Sequence, residues 1–441
     1  MNEQELLRRL EVREARVAVI GLGTVGLPLA RAFHAAGHSI LGLDSDPERV
    51  SALSRGENPL PYLDDGSIEA LLESARFEVT GDPERLGEAE VHVLCVPTPL
   101  DAARQPDLSH VEAAAEAVGG ALKRGSLVVL ESTTWPGTTR EVVLPRLEAR
   151  SGLRLGEDFA LAYSPEREDP GRRDLDTRTI PRLVGGLDGA SSRLALALYG
   201  SALEQVVPVS STEVAEAAKL FENTFRAVNI ALVNELKLVL EPLGIDVWEV
   251  IEAASTKPFG FMPFQPGPGM GGHCIPVDPV YLAWAARRAG VDAGFIDRAS
   301  EGNARMPEHV VERALAALDA RAVPPAGRRV LVLGLAYKAD VGSLHEAPAL
   351  RILELLADRQ VAACFHDPWV PRAPESVSGF LESRESLPLT AEAVRGFDAV
   401  LLCTDHAALD LALVAEHARL VVDTRNALGE RMAGDPRYER A

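Results

Sequence analysis

The sequence is poor in lysine. Of its 45 basic residues only five are lysine, namely Lys123, Lys219, Lys237, Lys257 and Lys338. Arginine therefore serves wherever a generic surface cation suffices, and a retained lysine suggests work for a compact, titratable ammonium group. Lys219 and Lys338 both lie in segments that look functional on other grounds. For each, a leftover solvated charge is the alternative interpretation.

Cysteine is also scarce. Cys95, Cys274, Cys364 and Cys403 are far apart and form no CxxC pair. This usage excludes a disulfide framework and a zinc site and fits a reducing cytosol, so we expect a cytoplasmic protein without a bound metal. No run of about 18 apolar residues is present, and the charged N-terminus lacks the apolar core of a signal peptide.

Net positive charge is absent as well. The formal net charge is −20 at pH 7, which argues against partners such as nucleic acid or an anionic membrane surface. A locally basic pocket for an anionic small molecule remains compatible with this balance. At 441 residues the chain is too long for one compact core, so two or three domains are expected.

Residues 16–26 read as a strand, a glycine turn and the start of a helix. The turn is GLGTVG, and a second strand, SILGLD, ends 18 residues beyond Gly26 at Asp44. Strand, glycines, helix and acid at this spacing predict a dinucleotide site with the pyrophosphate at the helix N-terminus. An aspartate here accepts hydrogen bonds from the ribose hydroxyls and repels a 2′-phosphate, which favours NAD over NADP. The predicted cofactor contacts are Gly21, Leu22, Gly23, Thr24, Val25, Gly26, Asp44, Arg49, Thr98 and Thr133.

Further strands are predicted at 91–99 and 126–134, alternating with helices, which indicates a doubly wound parallel sheet. Ligands of such sheets sit beyond the carboxyl ends of the strands. Thr98, Thr133 and, after FALAYSPE, Glu166 lie at such ends.

The α/β pattern begins again in the last third of the chain. RRVLVLGLAYK and FDAVLLCTDH echo the first half, but of the glycine fingerprint only Gly334 is present. We therefore predict an α/β fold of two doubly wound Rossmann-like domains joined by a long central helix and a helical middle domain. The expected domains are an NAD-binding domain at 1–208, a central helical domain at 209–322 and a substrate-binding α/β domain at 323–441.

The central helix is predicted from Thr212 to Leu243, with Gly244 ending it. About 30 residues span roughly 45 Å, long enough for a spine between domains and for the surface of a homodimer or higher homo-oligomer. Lys219 and Asn223 lie four residues apart on one face of this helix. Asparagine is a poor mid-helix residue and seldom sits there without a partner. A solvated polar patch is the alternative.

Cys274 lies in the glycine- and proline-rich loop FQPGPGMGGHCIPVDPVYL. This composition excludes the interior of a helix or strand. A thiol on such a loop, with Asp278 four residues further on, has the makings of a nucleophile with an acid–base partner. The alternative is a small buried hydrophobe, and the loop alone does not decide between them.

With these motifs in this order, the chain resembles the UDP-glucose/UDP-N-acetyl-hexosamine 6-dehydrogenases from end to end. The matching elements are GLGTVGLPLA, CVPTP, ESTTWPGTT, YSPEREDPG, AKLFENTFRAVNIALVNEL, the Cys274 loop, GLAYK and VVDTRNA. Those enzymes oxidise the C6 alcohol of a UDP-sugar to a carboxylate with two NAD⁺ and one water. The resemblance implies this activity, a UDP-sugar substrate and NAD as the cofactor.

The resemblance also gives roles to the candidate residues. Two successive hydride removals require a group that holds the intermediate aldehyde, and a thiolate does so as a thiohemiacetal and then a thioester. Cys274 matches that group. Asp278 and Lys219 resemble the pair that orders a water and handles the proton of the first oxidation. Lys219 and Asn223 would also steady the developing oxyanion.

Glu166 resembles the base that assists thioester hydrolysis, with Thr133 positioning water or the sugar. Lys338 in GLAYK and Arg425 in DTRNA match positions that the family uses for the UDP moiety, where a lysine makes a point contact and an arginine a bidentate one. The predicted substrate contacts are Glu166, Lys219, Asn223, Gly271, Lys338 and Arg425.

Within the family, YSPEREDPG and GGHCIPVDP most resemble the UDP-N-acetylglucosamine enzymes. Plain UDP-glucose enzymes usually carry a second glutamate where this chain has Pro170, and a GGSC-type loop. UDP-N-acetylmannosamine enzymes share both patterns and are the nearest alternative. Two proteins of other classes are also alternatives. A one-step hydroxyacid-type dehydrogenase would not need Cys274. A non-catalytic sensor of NAD or nucleotide sugars would not need the intact set of Lys219, Asn223, Cys274 and Asp278.

One position departs from the family pattern. His345 stands where relatives usually carry an arginine that reaches the cofactor phosphates from the C-terminal half. We therefore expect weaker NAD⁺ binding than in such relatives, or a substitute cation nearby.

Replacing His345 with arginine should restore that contact. One charge-assisted hydrogen bond corresponds to a roughly tenfold lower Michaelis constant for NAD⁺. Steady-state kinetics of His345→Arg against the unmodified protein measure it. An unchanged Michaelis constant would contradict the assignment.

Overall fold

The computed structural model describes residues 2–60, 65–167 and 177–441. The chain forms two compact units, one of Met1–Glu222 with Trp284–Val291 and one of Asn223–Ala283 with Asp292–Ala441. Helix α8 (Thr212–Leu240) and helix α10 (Asp278–Arg288) each contribute to both units. No helix in the described part of the chain has the length and apolarity needed to cross a membrane.

The first unit alternates strands and helices, as the sequence predicts. Its elements are α1 Glu3–Glu11, β1 Arg16–Ile20, α2 Gly26–Ala35, β2 Ser39–Leu43, α3 Pro47–Ser54, α4 Asp65–Leu72, β3 Phe77–Thr80, β4 Val91–Leu94, α5 Ser109–Ala121, β5 Ser126–Leu130, α6 Leu144–Ser151, β6 Phe159–Tyr163, β7 Arg182–Gly186, α7 Gly189–Gly200 and β8 Val206–Pro208. A π-helical turn, Thr139–Val143, leads into α6.

These strands form one eight-stranded sheet in the order β3-β2-β1-β4-β5-β6-β7-β8. All neighbours are parallel except β6 and β7, which pair antiparallel. The inner strands β1, β4, β5 and β6 are mostly apolar and buried on both faces, as expected when helices cover both sides of a sheet. One core of buried residues combines α1, α2 and α7 with the sheet. The prediction of a doubly wound parallel sheet is confirmed, with one antiparallel pairing that it did not include.

The second unit contains the helical middle region and a second sheet. Its elements are α9 Val247–Ser255, α10 Asp278–Arg288, α11 Gly294–Ala304, α12 Met306–Ala320, β9 Arg329–Leu333, α13 Pro348–Asp358, β10 Ala362–His366, α14 Ala391–Arg395, β11 Ala399–Leu402, α15 Leu411–His417, β12 Val421–Asp423 and β13 Tyr438–Arg440. The five strands are all parallel, in the order β10-β9-β11-β12-β13. Buried clusters lie on each side of this sheet, so the second Rossmann-like sheet is confirmed.

Helix α8 runs from Thr212 to Leu240 and continues as a 3₁₀ turn to Leu243. Gly244 follows with a left-handed φ of 69°, so the predicted end of the helix is confirmed. Several apolar residues of α8 are exposed, including Val214 (43%), Phe225 (42%) and Leu232 (62%). The helix therefore carries more apolar surface than its own chain buries.

A buried ion pair between Arg182 and Glu131 lies at the carboxyl end of β5 in the first unit. The Arg182 Nη1 atom is 3.0 Å from Glu131 Oε2, and both side chains are at most 2% exposed. The Tyr199 hydroxyl donates a hydrogen bond to the same carboxylate. Sequence reasoning missed this network, whose signal was an acidic residue directly after the apolar run LVVL of β5.

Removing one partner of this pair should be costly. Arg182→Met leaves the Glu131 carboxylate buried without its cation, which typically costs about 3–5 kcal/mol. Urea unfolding measures the loss. As a control, Arg193→Met removes an exposed pair with Glu3, whose side chains are 59% and 36% accessible, and should cost less than about 1 kcal/mol. Equal losses in the two variants would contradict the prediction.

Candidate functional site

The GLGTVG turn has the geometry that a dinucleotide requires. Gly21 has φ of 90°, and a Cβ added there would lie 2.5 Å from the Cys95 carbonyl oxygen. A Cβ at Gly26 would lie 1.8 Å from the Gly21 oxygen, so neither glycine tolerates a side chain. At Gly23 the nearest atom, Arg49 Nη1, is 3.5 Å away, which leaves the backbone open to a phosphate. The residues present therefore fit NAD at the N-terminus of α2.

Asp44 follows β2 and is 7% exposed. Its Oδ2 accepts a hydrogen bond from the Leu22 N–H at 2.8 Å and lies 3.3 Å from Arg49 Nη1. The carboxylate thus links the glycine turn to the end of the second strand. Its position agrees with the expected role of reading a ribose diol, and Arg49 neutralises part of its charge.

The remaining first-unit candidates lie at the carboxyl ends of adjacent parallel strands. Thr98 follows β4, Thr133 follows β5 and Glu166 follows β6, and these three strands are neighbours in the sheet. Residues 168–176, and with them Pro170 of the subclass comparison, lie outside the described residues.

Lys219 of α8 contacts this edge directly. Its Nζ lies 3.2 Å from Glu166 Oε2, and the two side chains are 6% and 8% exposed. Lys219 is therefore a buried, paired ammonium and not a leftover surface charge. A buried pair of opposite charges can hold or pass a proton at a reacting group, which is the chemistry expected of it.

In the second unit, the Cys274 loop leads directly into α10. The Cys274 carbonyl oxygen accepts hydrogen bonds from the Val277 N–H at 3.1 Å and the Asp278 N–H at 2.8 Å, so the thiol-bearing residue forms the entry to the helix. Asn223 Nδ2 donates to Asp278 Oδ2 at 2.6 Å. Both side chains are buried, at 6% and 2% exposure. Asn223 thus has the partner that its mid-helix position suggests, and Asp278 is held one turn after the thiol.

Cys274 is the cysteine whose surroundings suit a nucleophile. It is half-buried, whereas Cys95, Cys364 and Cys403 are buried. Burial raises the pKa of Cys95 well above its usual value, that of Cys364 to about 11 and that of Cys403 to about 12. Thiols with such values remain protonated and unreactive near neutral pH.

The glycines before Cys274 allow close contacts within the second unit. A Cβ on Gly267 would lie 2.8 Å from Arg425 Nη1, and one on Gly271 would lie 2.6 Å from Tyr337 Cβ. The Gly267 N–H donates to Asn234 Oδ1 of α8 at 3.0 Å. The loop is therefore fixed between α8 and the residues that follow β9 and β12.

The predicted UDP contacts lie at the carboxyl edge of the second sheet. Lys338 follows β9, and Arg425 follows β12. Arg425 Nε donates to the Cys403 carbonyl oxygen at 2.8 Å, which orients the guanidinium while its Nη1 faces Gly267. Two cations on one sheet edge suit an anionic diphosphate.

Sequence reasoning missed Asn234 and Asp367. Asn234 is 1% exposed, and its signal was a second mid-helix asparagine in α8. Asp367, after β10, accepts from the Leu335 N–H at 2.7 Å and contacts His406 Nε2 at 3.2 Å. The Asp367–Leu335 contact repeats the Asp44–Leu22 contact of the first sheet. Asp367, however, is also bound by the protein's own His406. The second sheet, which lacks the complete glycine motif, thus also differs from the first at the aspartate.

Fold and site together define an NAD-dependent oxidoreductase with a nucleotide-binding second sheet. Models of three domains of one family match the chain: the NAD binding domain over residues 15–203, the central domain over 213–305 and the UDP binding domain over 331–430. The chain belongs to the UDP-glucose/GDP-mannose dehydrogenase family. The family resemblance drawn from the sequence motifs is confirmed.

Similar proteins act on N-acetylated sugars. The chain is 35% identical to the UDP-N-acetyl-D-glucosamine 6-dehydrogenase of Pseudomonas aeruginosa over 90% of its own length and 91% of the relative's. It is 34% identical to the UDP-N-acetyl-D-mannosamine dehydrogenase of Pyrococcus horikoshii over 95% and 97%. The solved structure of a UDP-D-ManNAc dehydrogenase from Pyrococcus horikoshii has a TM-score of 0.85, 33% identity, and coverage of 96% of this chain and 98% of that one.

Asp44 should decide the choice of cofactor. Asp44→Asn keeps one acceptor oxygen but removes the charge that pairs with the ribose hydroxyls. Such a charged hydrogen bond corresponds to a roughly 10- to 100-fold loss, so kcat/KM for NAD⁺ should fall by that factor and the preference over NADP⁺ should shrink. The control is Asp46→Asn, an exposed N-cap of α3 where asparagine serves equally well. Unchanged cofactor preference in Asp44→Asn would contradict the assignment.

Proposed function

We propose that this enzyme oxidises the C6 alcohol of a UDP-N-acetyl-hexosamine, with UDP-N-acetylglucosamine favoured, to the uronic acid. The observation that carries the proposal is the arrangement at the start of α10, where the backbone of Cys274 accepts from Asp278 and Asp278 is bound by Asn223. A nucleophilic thiol serves a four-electron oxidation, whose intermediate aldehyde it can hold covalently, and has no task in a two-electron one.

NAD⁺ at the glycine turn supplies a hydride acceptor for each of the two oxidations. For the first, Lys219 and Asp278 order a water, and the Asp278 carboxylate takes up the proton of the C6 hydroxyl through that water. Lys219 and Asn223 stabilise the oxygen as negative charge develops on it. In the buried Lys219–Glu166 pair, the carboxylate balances the positive charge of the ammonium group while it waits for the substrate.

The thiolate of Cys274 then adds to the aldehyde carbon, forming a C–S bond and the oxyanion of a thiohemiacetal. Loss of the C6 hydride from this oxyanion re-forms the C=O bond and leaves a thioester. Glu166 removes a proton from water, which attacks the thioester carbon, and the C–S bond breaks to give the carboxylate and the Cys274 thiol. Thr133 positions the water or the sugar. The aldehyde stays bound to the protein throughout.

Arg425 and Lys338 hold the UDP part of the substrate. Arg425 is oriented by the Cys403 carbonyl and faces Gly267 of the Cys274 loop, so diphosphate binding and the position of the loop are linked. Gly271 allows the loop to approach the substrate closely.

We further propose that the chain divides into three domains, with boundaries at 208/209 and 322/323. We also propose a homodimer or higher homo-oligomer, in which the partner subunit covers the exposed apolar residues of α8.

The number of NADH molecules formed per sugar tests the reaction. With limiting UDP-N-acetylglucosamine and excess NAD⁺ we expect two NADH per sugar and a uronic acid product. UDP-N-acetylmannosamine and UDP-glucose are compared under the same conditions. Better turnover of either would replace the sugar assignment, and one NADH per sugar with every substrate would overturn the four-electron reaction.

Cys274→Ser tests the covalent route in the same assay. Uronic acid formation should fall on the order of a thousandfold or more, as for loss of other enzymatic nucleophiles. The control is Cys364→Ser. Cys364 is a buried residue of strand β10, and its replacement should leave the stoichiometry at two. An undiminished rate in Cys274→Ser would exclude the thioester.

A further inference from the structure

We propose that His345 is a positioning residue for Cys274, which it holds in place by clamping the preceding loop residues through the ring of His273. This inference rests on the proposed function, in which Cys274 is the nucleophile. It assigns the departure at position 345 a role different from the contact made by the arginine of relatives.

The two imidazole rings lie face to face. Their centroids are 3.9 Å apart and their planes differ by 5°. Both side chains are exposed, so the stack is not forced by dense packing around them. Such parallel contact is a specific interaction between flat rings and restricts the rotation of both side chains.

The backbones of the two segments are also joined. The Gly272 N–H donates to the His345 carbonyl oxygen at 2.8 Å. A Cβ on Gly271 would lie 2.8 Å from the Glu346 oxygen, which shows how closely the two chains approach. Three consecutive residues before Cys274 therefore contact the 345–346 segment.

That segment is itself fixed. The Ala347 N–H donates to the Leu344 oxygen at 3.2 Å, closing a turn in which Glu346 has φ of 50°. The turn enters α13 at Pro348, and this helix packs Ala349, Ile352 and Leu353 into the core of the second unit. His345 thus projects from a rigid base.

The clamp completes the support of the thiol. After Cys274, the chain is held where the Cys274 oxygen accepts from the first N–H groups of α10. Before Cys274, it is held by His345. Because a nucleophile misplaced by about 1 Å can lose on the order of a hundredfold in rate, an anchor on each side has a direct catalytic consequence.

The surroundings of His273 favour its uncharged ring. The pKa of His273 is lowered from its usual value, because its ring is partly desolvated and because a charge on His345 would repel one on His273. An uncharged His273 ring can remain stacked on its neighbour near neutral pH, which is where the thiol must be held.

The test uses variants that remove or keep the flat ring at position 345. His345→Ala should lower kcat about tenfold while the Michaelis constants for NAD⁺ and the UDP-sugar change less than about twofold. His345→Phe keeps a stacking ring and should restore kcat to within about threefold of the original. His345→Arg is not used here, because a planar guanidinium also stacks on a ring. The matched control is His110→Ala, an exposed histidine in the first unit.

A double-mutant cycle checks that the effect passes through His273. His273→Ala alone should resemble His345→Ala, and the double variant should lose no more than about twofold beyond either single variant. Additive losses, or a His345→Phe variant as slow as His345→Ala, would overturn the clamp.

Hydrogen exchange gives a readout that needs no substrate. Exchange of amides 271–274 should rise about tenfold in His345→Ala and stay unchanged in His110→Ala and His345→Phe. If the unmodified protein forms no uronic acid, the proposed function fails, while this measurement still decides whether His345 holds the loop. Unchanged exchange in His345→Ala would refute the inference whatever the enzyme's substrate.

Discussion

Three buried polar side chains on one long helix each find a partner, and the candidate sites of both units are built around these contacts. Helix α8 carries Lys219, Asn223 and Asn234, all at most 6% exposed. An unpaired group at such a depth would cost about 1–3 kcal/mol or more. Each is satisfied by a site element: Lys219 by Glu166, Asn223 by Asp278 and Asn234 by the Cys274 loop at Gly267. The contacts that satisfy the buried polar groups of the helix therefore also position the candidate site residues.

The two sheets show how one architecture is used in different ways. After β1 and after β9 the chain makes a left-handed glycine turn, at Gly21 and Gly334, and in each case an aspartate after the next strand accepts from the turn. Asp44 is left at the site edge beside Arg49, whereas Asp367 also contacts His406, with both side chains fully buried. The first edge thus keeps a carboxylate beside the glycine turn, and the second edge carries the cations Lys338 and Arg425.

Much of the secondary structure could be predicted from local sequence signals. The glycine turn, the apolar strands and the ends of α8 follow from steric and capping rules that act over a few residues, so β1, α2 and the end of the helix at Gly244 agree with the structure. The predicted strands at 91–99 and 126–134 were too long, because pairing stops at Leu94 and Leu130. Strand ends depend on where a neighbour stops, and that is not a local property.

By itself, the sequence determined the class of fold, the dinucleotide motif and the identity of the candidate residues, because glycine spacing, hydrophobic period and a thiol in a Gly/Pro loop each have a local physical meaning. Only the tertiary structure decided which groups meet. The Glu131–Arg182 pair joins residues 51 positions apart, and the His273–His345 stack joins two loops that no periodicity connects. Partners of this kind are selected by packing and desolvation once the chain has folded, and these forces act between segments that are distant in sequence.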